Sequence, residues 1–475
     1  MLQVLVLNIL IDKTVITLNT SIRNEIKQFF QLAIPLASAQ VAQSLTGFFD
    51  TIMMGRLGAE TLAGGGLASL VFFALVNIAA GIVMAVSPLI AEAYGAGNKN
   101  RIEDLIRQGL WLSVLLSIPI TIAIAHFDSI MLRLGQPEPI ITLSETYLDI
   151  ILWGFFPAVG FAMLRGAVSG LSHPRPVMYI VVSGTLFNIT GNYVLGFGKF
   201  GFPRLELAGL AIASTVTLWV MFFALVIYLL KHPQLKNYRI FKQLHRLKPR
   251  VIWQLSKIGF PIGIFIALEI GLFTVVTFLM GTLGTEVLAA HQIVFQTMLI
   301  IFMIPLGMSY AATVRVGQYL GEKNLKGIKR AGYFSIASGL VFAIAITIIM
   351  LLFPKAIVSL YIDVNNPDNA TVVGLALPML TVATLSQILD AVQKITYGVL
   401  QGLQDTRIPV LLNIPAFWIV GLTSGYLLGF YFNLGGVGLW IGQSIGVAVA
   451  AFLFIIRWRQ KLAEFFYTSK AMNSK

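Results

Sequence analysis

Twelve runs of about 20 predominantly apolar residues succeed one another along this chain, each long enough to cross the ~30 Å hydrocarbon layer of a bilayer as a helix. Backbone amides in that layer must be satisfied internally, so such a chain folds as a bundle of spanning helices. Composition agrees. Of the 475 residues 57% are hydrophobic and 11% charged, with mean hydropathy +0.84, against about 25% charged in a soluble domain. The fourth run ends near residue 163 and the eighth near 313, which leaves Arg165 and Arg315 to the following connections. The first 28 residues lack the basic start and small-residue cleavage site of a signal peptide; they are expected to form a cytoplasmic lead-in.

The chain also repeats itself. MGRLGAETLA, from Met54 to Ala63, returns as MGTLGTEVLA, from Met280 to Ala289, identical at seven of ten positions. The same offset relates Pro35 to Pro261 and Gly81 to Gly307. With small shifts it relates Tyr94 to Tyr319, Gly166 and Gly170 to Gly398 and Gly402, and Arg175 to Arg407. Six runs per copy is an even number, so both copies enter the membrane from one side as parallel repeats. The expected fold is an all-α membrane protein of two six-helix lobes, 29–230 and 252–456, around a central cleft. A basic cytoplasmic linker, 231–251, joins them, and a cytoplasmic tail, 457–475, follows.

The net charge of +13 is explained by topology rather than by a nucleic-acid partner. Most of the 33 Lys and Arg lie in the connections on the side that carries both termini, and Lys and Arg concentrate in cytoplasmic loops. Both termini are therefore expected in the cytoplasm. The absence of cysteine excludes disulfides, thiolate metal sites and cysteine nucleophiles. No G-x-x-x-x-G-K-[ST] loop is present to bind a nucleotide. His126, His173, His232, His245 and His291 fall in no metal-ligand spacing. Nothing points to an enzyme.

Four acids fall within the apolar runs: Asp50, Asp149, Glu269 and Asp390. A charge at the bilayer centre costs about 2.5–3.5 kcal/mol on insertion scales, so each needs a cavity or a partner. Asp149, close to a helix start, reads as ordinary helix-end chemistry, and Asp50 lies near the outer end of its run. Glu269 sits about 12 Å of helix beyond Pro261, where a kink is expected. Asp390 shares a helix face with Ser386, Gln387, Gln393 and Lys394. That polar stripe lines a cavity, and an Asp390–Lys394 ion pair within the helix is its structural alternative. Asn188 and Asn192 are one turn apart on another helix and can bind substrate or bridge helices. The repeat places Gln43 opposite Glu269, so the acids are not duplicated with the scaffold. A carboxyl shielded from water can hold and release a proton, and grouped carboxylates can hold Na⁺. Either ion competes with an organic cation for one negative charge, which is the physical basis of antiport.

GFFDTIMMG from Gly47 to Gly55, Leu268-Glu269-x-x-Leu272-Phe273, Ala289-Ala290-His291-Gln292, Arg315-Val316-Gly317 before Leu320-Gly321-Glu322, Asp390-Ala391-Val392-Gln393 and Gly398-x-x-x-Gly402 occur in that order. Together with twelve helices in two lobes, they resemble the multidrug and toxic compound extrusion (MATE) transporters, in particular the NorM-type branch. The resemblance runs from about residue 29 over nearly the whole chain.

It implies an antiporter that exports cationic amphiphilic compounds across the cell membrane in exchange for Na⁺ or H⁺. No cofactor is implied. The partners would be small organic cations and the bilayer, and the working unit a monomer. It also implies cation-binding roles for Glu269, Asp390 and Asp50, the first two as metal ligands if sodium is the coupling ion. The substrate-binding set expected is Gln43, Asn188, Asn192, Gln387 and Lys394. Lys394 departs from the family pattern, where an apolar residue is expected, and its ammonium can occupy part of the cation site. The alternatives are a flippase for lipid-linked precursors, which would favour a strongly cationic cleft, and a channel, which needs a continuous polar pore.

Overall fold

A computed structural model describes residues 2–133, 135, 137–240 and 244–473, with side chains described within 23–465. Among the described residues, twelve apolar helices are long enough to span a membrane: α1 Arg23–Leu57, α2 Ala59–Gly95, α3 Lys99–Ile124, α4 Glu138–Gly170, α5 Arg175–Gly196, α6 Glu206–Lys231, α7 Pro249–Thr282, α8 Thr285–Gly321, α9 Leu325–Leu352, α10 Pro367–Gly402, α11 Arg407–Tyr431 and α12 Gly435–Phe465. The helix of α1 begins at Leu2 and that of α12 continues to Asn473, so the stretches expected as lead-in and tail prolong these helices.

The duplicated motif has a backbone reason. Gly58 and Gly284 precede α2 and α8 with φ of 143° and 128°, a region that L side chains rarely adopt. Each lets the chain reverse within one residue at the end of a spanning helix. Asn98 and Asn324, again repeat equivalents, cap α3 and α9 by accepting hydrogen bonds from the amides of Arg101 and Gly327.

The lobes meet through repeat-related contacts. A Cβ added at Gly81 in α2 would lie 3.3 Å from the Cα of Gly263 in α7, and one at Gly307 in α8 would collide with the backbone of Ala37 in α1. Likewise a Cβ at Gly95 would strike the Gln318 carbonyl, and one at Gly321 the Glu92 carbonyl. These pairs exchange under the sequence offset, as a two-fold relation between parallel repeats requires. Small residues are what allow such close backbone approach in a membrane. Gly321→Ala is expected to cost about 1–3 kcal/mol and to lower the unfolding midpoint in detergent. Gly66→Ala, whose Cβ meets open space, should not; equal midpoints would refute this packing.

Packing crosses between the lobes. Phe29, Leu32, Ala33 and Leu36 at the start of α1 belong to a core built mainly from α8, α9, α10 and α12. Leu255, Ile258 and Ile262 at the start of α7 belong to the core of the first lobe. Each lobe thus receives the first turns of the other's leading helix. The described part of the linker lies against α3: Trp111 donates to the Leu244 carbonyl at 2.7 Å, Gln108 to the Arg246 carbonyl at 2.9 Å, and Lys248 pairs with Asp104 at 2.6 Å.

Polar contacts between lobes gather at the end where α1 and α7 begin. Glu25, 1% exposed, accepts from Arg315 Nε and Nη2, both at 2.9 Å, and from the Tyr319 hydroxyl at 2.6 Å. Gln318 donates to Ser172 at 2.7 Å, and Gln404 to Glu92 at 2.7 Å. Arg315, placed in a connection by hydropathy, is a buried residue of α8.

Candidate functional site

The polar residues expected at the site, Asp149 apart, form three groups within the spans. In the first lobe, Asp50, near the end of its span, is only 3% exposed. Its Oδ1 accepts from Asn192 Nδ2 at 2.5 Å; Asn192 Nδ2 also donates to Asn188 Oδ1 at 3.1 Å, and Asn188 Nδ2 to Ser214 at 3.0 Å. Buried Tyr147, which accepts from Ser69 at 3.1 Å, lies within electrostatic reach of Asp50. The α-helix of α5 ends at Gly191 and a π-helical turn runs from Asn192 to Gly196. Such wide turns inside helices are frequent at functional sites. The repeat copy carries one too, Leu427–Tyr431 in α11. Asp50 Oδ2 and Asn192 Oδ1 are buried and find no hydrogen-bond partner among the described residues.

The second group joins α7 and α10. Lys394 donates to both oxygens of Glu269, at 2.7 and 2.8 Å. The side chains are 5% and 18% exposed, respectively. The same ammonium lies 5.0 Å from the Phe265 ring centroid and 5.1 Å from that of Phe302. Asp390 is close enough to interact electrostatically with both Glu269 and Lys394. The intrahelical Asp390–Lys394 pair expected as an alternative is replaced by one between helices: Lys394 reaches across to Glu269. Gln387 lies on the same stripe, donates to the Met298 carbonyl at 3.3 Å, and leaves its Oε1 buried without a partner among the described residues. Ser386, Gln387, Gln393 and Lys394 are buried, so the stripe faces inward, away from lipid. Asp149 is exposed and joins neither group.

Gln43 belongs to a third group. With Gln40 it accepts from Arg165 Nη1, at 3.2 and 2.7 Å. The Arg165 guanidinium lies 5.7 Å from the ring centroid of Tyr310 in the other lobe. Sequence reading left Arg165 in a loop because its charge ended the apolar run. The signal was available: Arg165 stands inside FFPAVGFAMLRGAVSG, an otherwise continuous helical stretch. Phe265 and Phe302 carried no signal, since aromatics abound in such helices.

A sodium ion requires several oxygen ligands in place of its water, as hard cations do. Among the described residues no group of three or more His, Cys, Asp or Glu could hold a metal ion. Both Glu269 oxygens already accept from Lys394, so this donor set does not fit Na⁺ as it stands. The arrangement does hold acids in both lobes, Asp50 buried in one and Glu269 and Asp390 partly buried in the other; a carboxyl shielded from water can hold and release a proton.

Comparison with known proteins gives a consistent picture. The MatE family profile matches residues 35–194 and 261–427. The chain is 49% identical over 447 residues to a probable multidrug resistance protein NorM of Synechocystis sp., covering 94% of this chain and 97% of the relative. It is 51% identical over 438 residues to a probable multidrug resistance protein NorM of Synechococcus sp., covering 92% and 94%. In fold it is similar to a crystal structure of MATE in complex with MaL6, with TM-score 0.85 at 22% identity over 93% of this chain and 97% of that one. The eukaryotic MATE transporter AtDTX14 gives TM-score 0.82 at 22% identity over 94% and 98%.

Proposed function

This chain belongs to the MatE family, in its NorM-type branch, and we propose that it exports cationic amphiphilic compounds by cation-driven antiport. The observation that carries the reading is the acids held within the spans, buried Asp50 in one lobe and partly buried Glu269 with Asp390 in the other. Buried acids are costly in a membrane and are kept where they bind ions or substrate. The names of the NorM relatives, probable multidrug resistance proteins, support drug-like substrates. Asn188, Asn192, Gln387 and Gln43 then line the substrate path, with Arg165 and Tyr310 beside it.

The placement of Lys and Arg supports a cell-membrane orientation with both termini in the cytoplasm. On that orientation the polar contacts between lobes lie at the cytoplasmic end, and alternating access requires them, the Glu25–Arg315 contact among them, to open.

Accumulation of a fluorescent lipophilic cation in cells tests the reading. Cells producing the wild-type chain should retain less dye than cells without it, and Asp390→Asn should restore accumulation. Equal accumulation with and without the wild-type chain, across a panel of organic cations, would show the reading to be wrong.

A further inference from the structure

We infer that Lys394 is a tethered counter-cation that closes the Glu269 pocket to sodium. The inference deepens the antiport reading, on which it rests only for its consequence, namely that export by this chain runs without Na⁺ at Glu269.

The pocket is built for an ammonium. Two of the three Lys394 donors go to the two oxygens of one carboxylate, at 2.7 and 2.8 Å. Two aromatic faces, Phe265 and Phe302, lie about the same ammonium at 5.0 and 5.1 Å. Ring faces attract organic cations, whereas a small hard cation needs oxygen atoms. One wall of the cage is firmly held: Phe265 is fully buried and stacked on Tyr397 with centroids 4.1 Å apart, and the Phe454 ring lies 6.3 Å from it. Lys394 is itself buried on a stripe that faces inward.

Sodium at Glu269 would have to take the position of Nζ, and the displaced ammonium would remain nearby as a like charge in a medium that screens weakly. A covalently attached competitor also keeps its local concentration whatever the solution holds. With Glu269 and Asp390 both ionised, Lys394 leaves that cluster one net negative charge instead of two.

Direct binding tests this independently of transport. Radiolabelled sodium is titrated onto the purified full chain in detergent, and the fraction of binding that Glu269→Gln removes is taken as the signal. The wild type should show no such fraction. Lys394→Met, which keeps an apolar stem and frees both carboxylate oxygens beside Asp390, should gain saturable binding, and Glu269→Gln/Lys394→Met should lose it again. If Lys394→Met does not fold, Lys394→Gln is read in its place. Glu269-dependent sodium binding by the wild type overturns the inference, as does a folded Lys394 variant that gains none. Failure of the chain to export any organic cation would sink the antiport reading and leave this result standing.

Discussion

Replacing Arg315 by leucine is expected to cost the described arrangement about 3–5 kcal/mol, the usual penalty for stranding one member of a buried ion pair. Glu25 is almost wholly buried, and its partners are Arg315 and Tyr319 in α8, with Arg330 of α9 at 3.7 Å. In Arg315→Leu the carboxylate keeps its burial and loses its bidentate partner. A state in which this end of the protein opens to water relieves that penalty. Inverting a two-state population from 1:99 to 99:1 takes about 5.5 kcal/mol, so the substitution is on the scale needed to shift the lobes. The absence of native cysteine makes the measurement clean. Spin labels on cysteines replacing the exposed Lys99 and Lys326, one on each lobe at the latched end, should report a longer distance in Arg315→Leu than in the otherwise unchanged chain. An unchanged distance distribution in a folded variant would remove the latch from the account.

Asp50→Asn is expected to leave the fold intact and to reduce gradient-driven export by about 5- to 150-fold, the span of typical coupling free energies of ~1–3 kcal/mol. Asparagine keeps the shape of the side chain and an oxygen that accepts from Asn192, so the chain of bonds through Asn188 to Ser214 survives. What disappears is the only acid of that cluster among the described residues, and with it the charge that a cation or proton must meet in the first lobe. Export by Asp50→Asn at the wild-type rate, measured at equal protein in vesicles, would confine coupling to the second lobe.

The spans, the repeat and the acids were legible because each leaves a mark in the order of residues: a length of apolar sequence, a matching segment, a charge where charges are costly. The partners of those acids were not. Lys394 sits one turn from Asp390, and local spacing favours that pair, but the helix packing brings α7 close enough for both Glu269 oxygens to take the ammonium instead. Arg165 and Arg315 end their apolar runs, and hydropathy alone assigns them to loops. Both are buried residues of α4 and α8, held by Gln40, Gln43 and Glu25. Hydropathy cannot separate a charge in water from one neutralised inside the protein.

Counter-transport in proteoliposomes tests the central claim most directly. With an organic cation inside and an imposed proton gradient, the wild-type chain should move the organic cation against its own gradient, and Glu269→Gln and Asp390→Asn should each abolish that movement while folding normally. Undiminished gradient-driven export by both variants would contradict the claim that the second-lobe carboxylates couple the ion to the substrate.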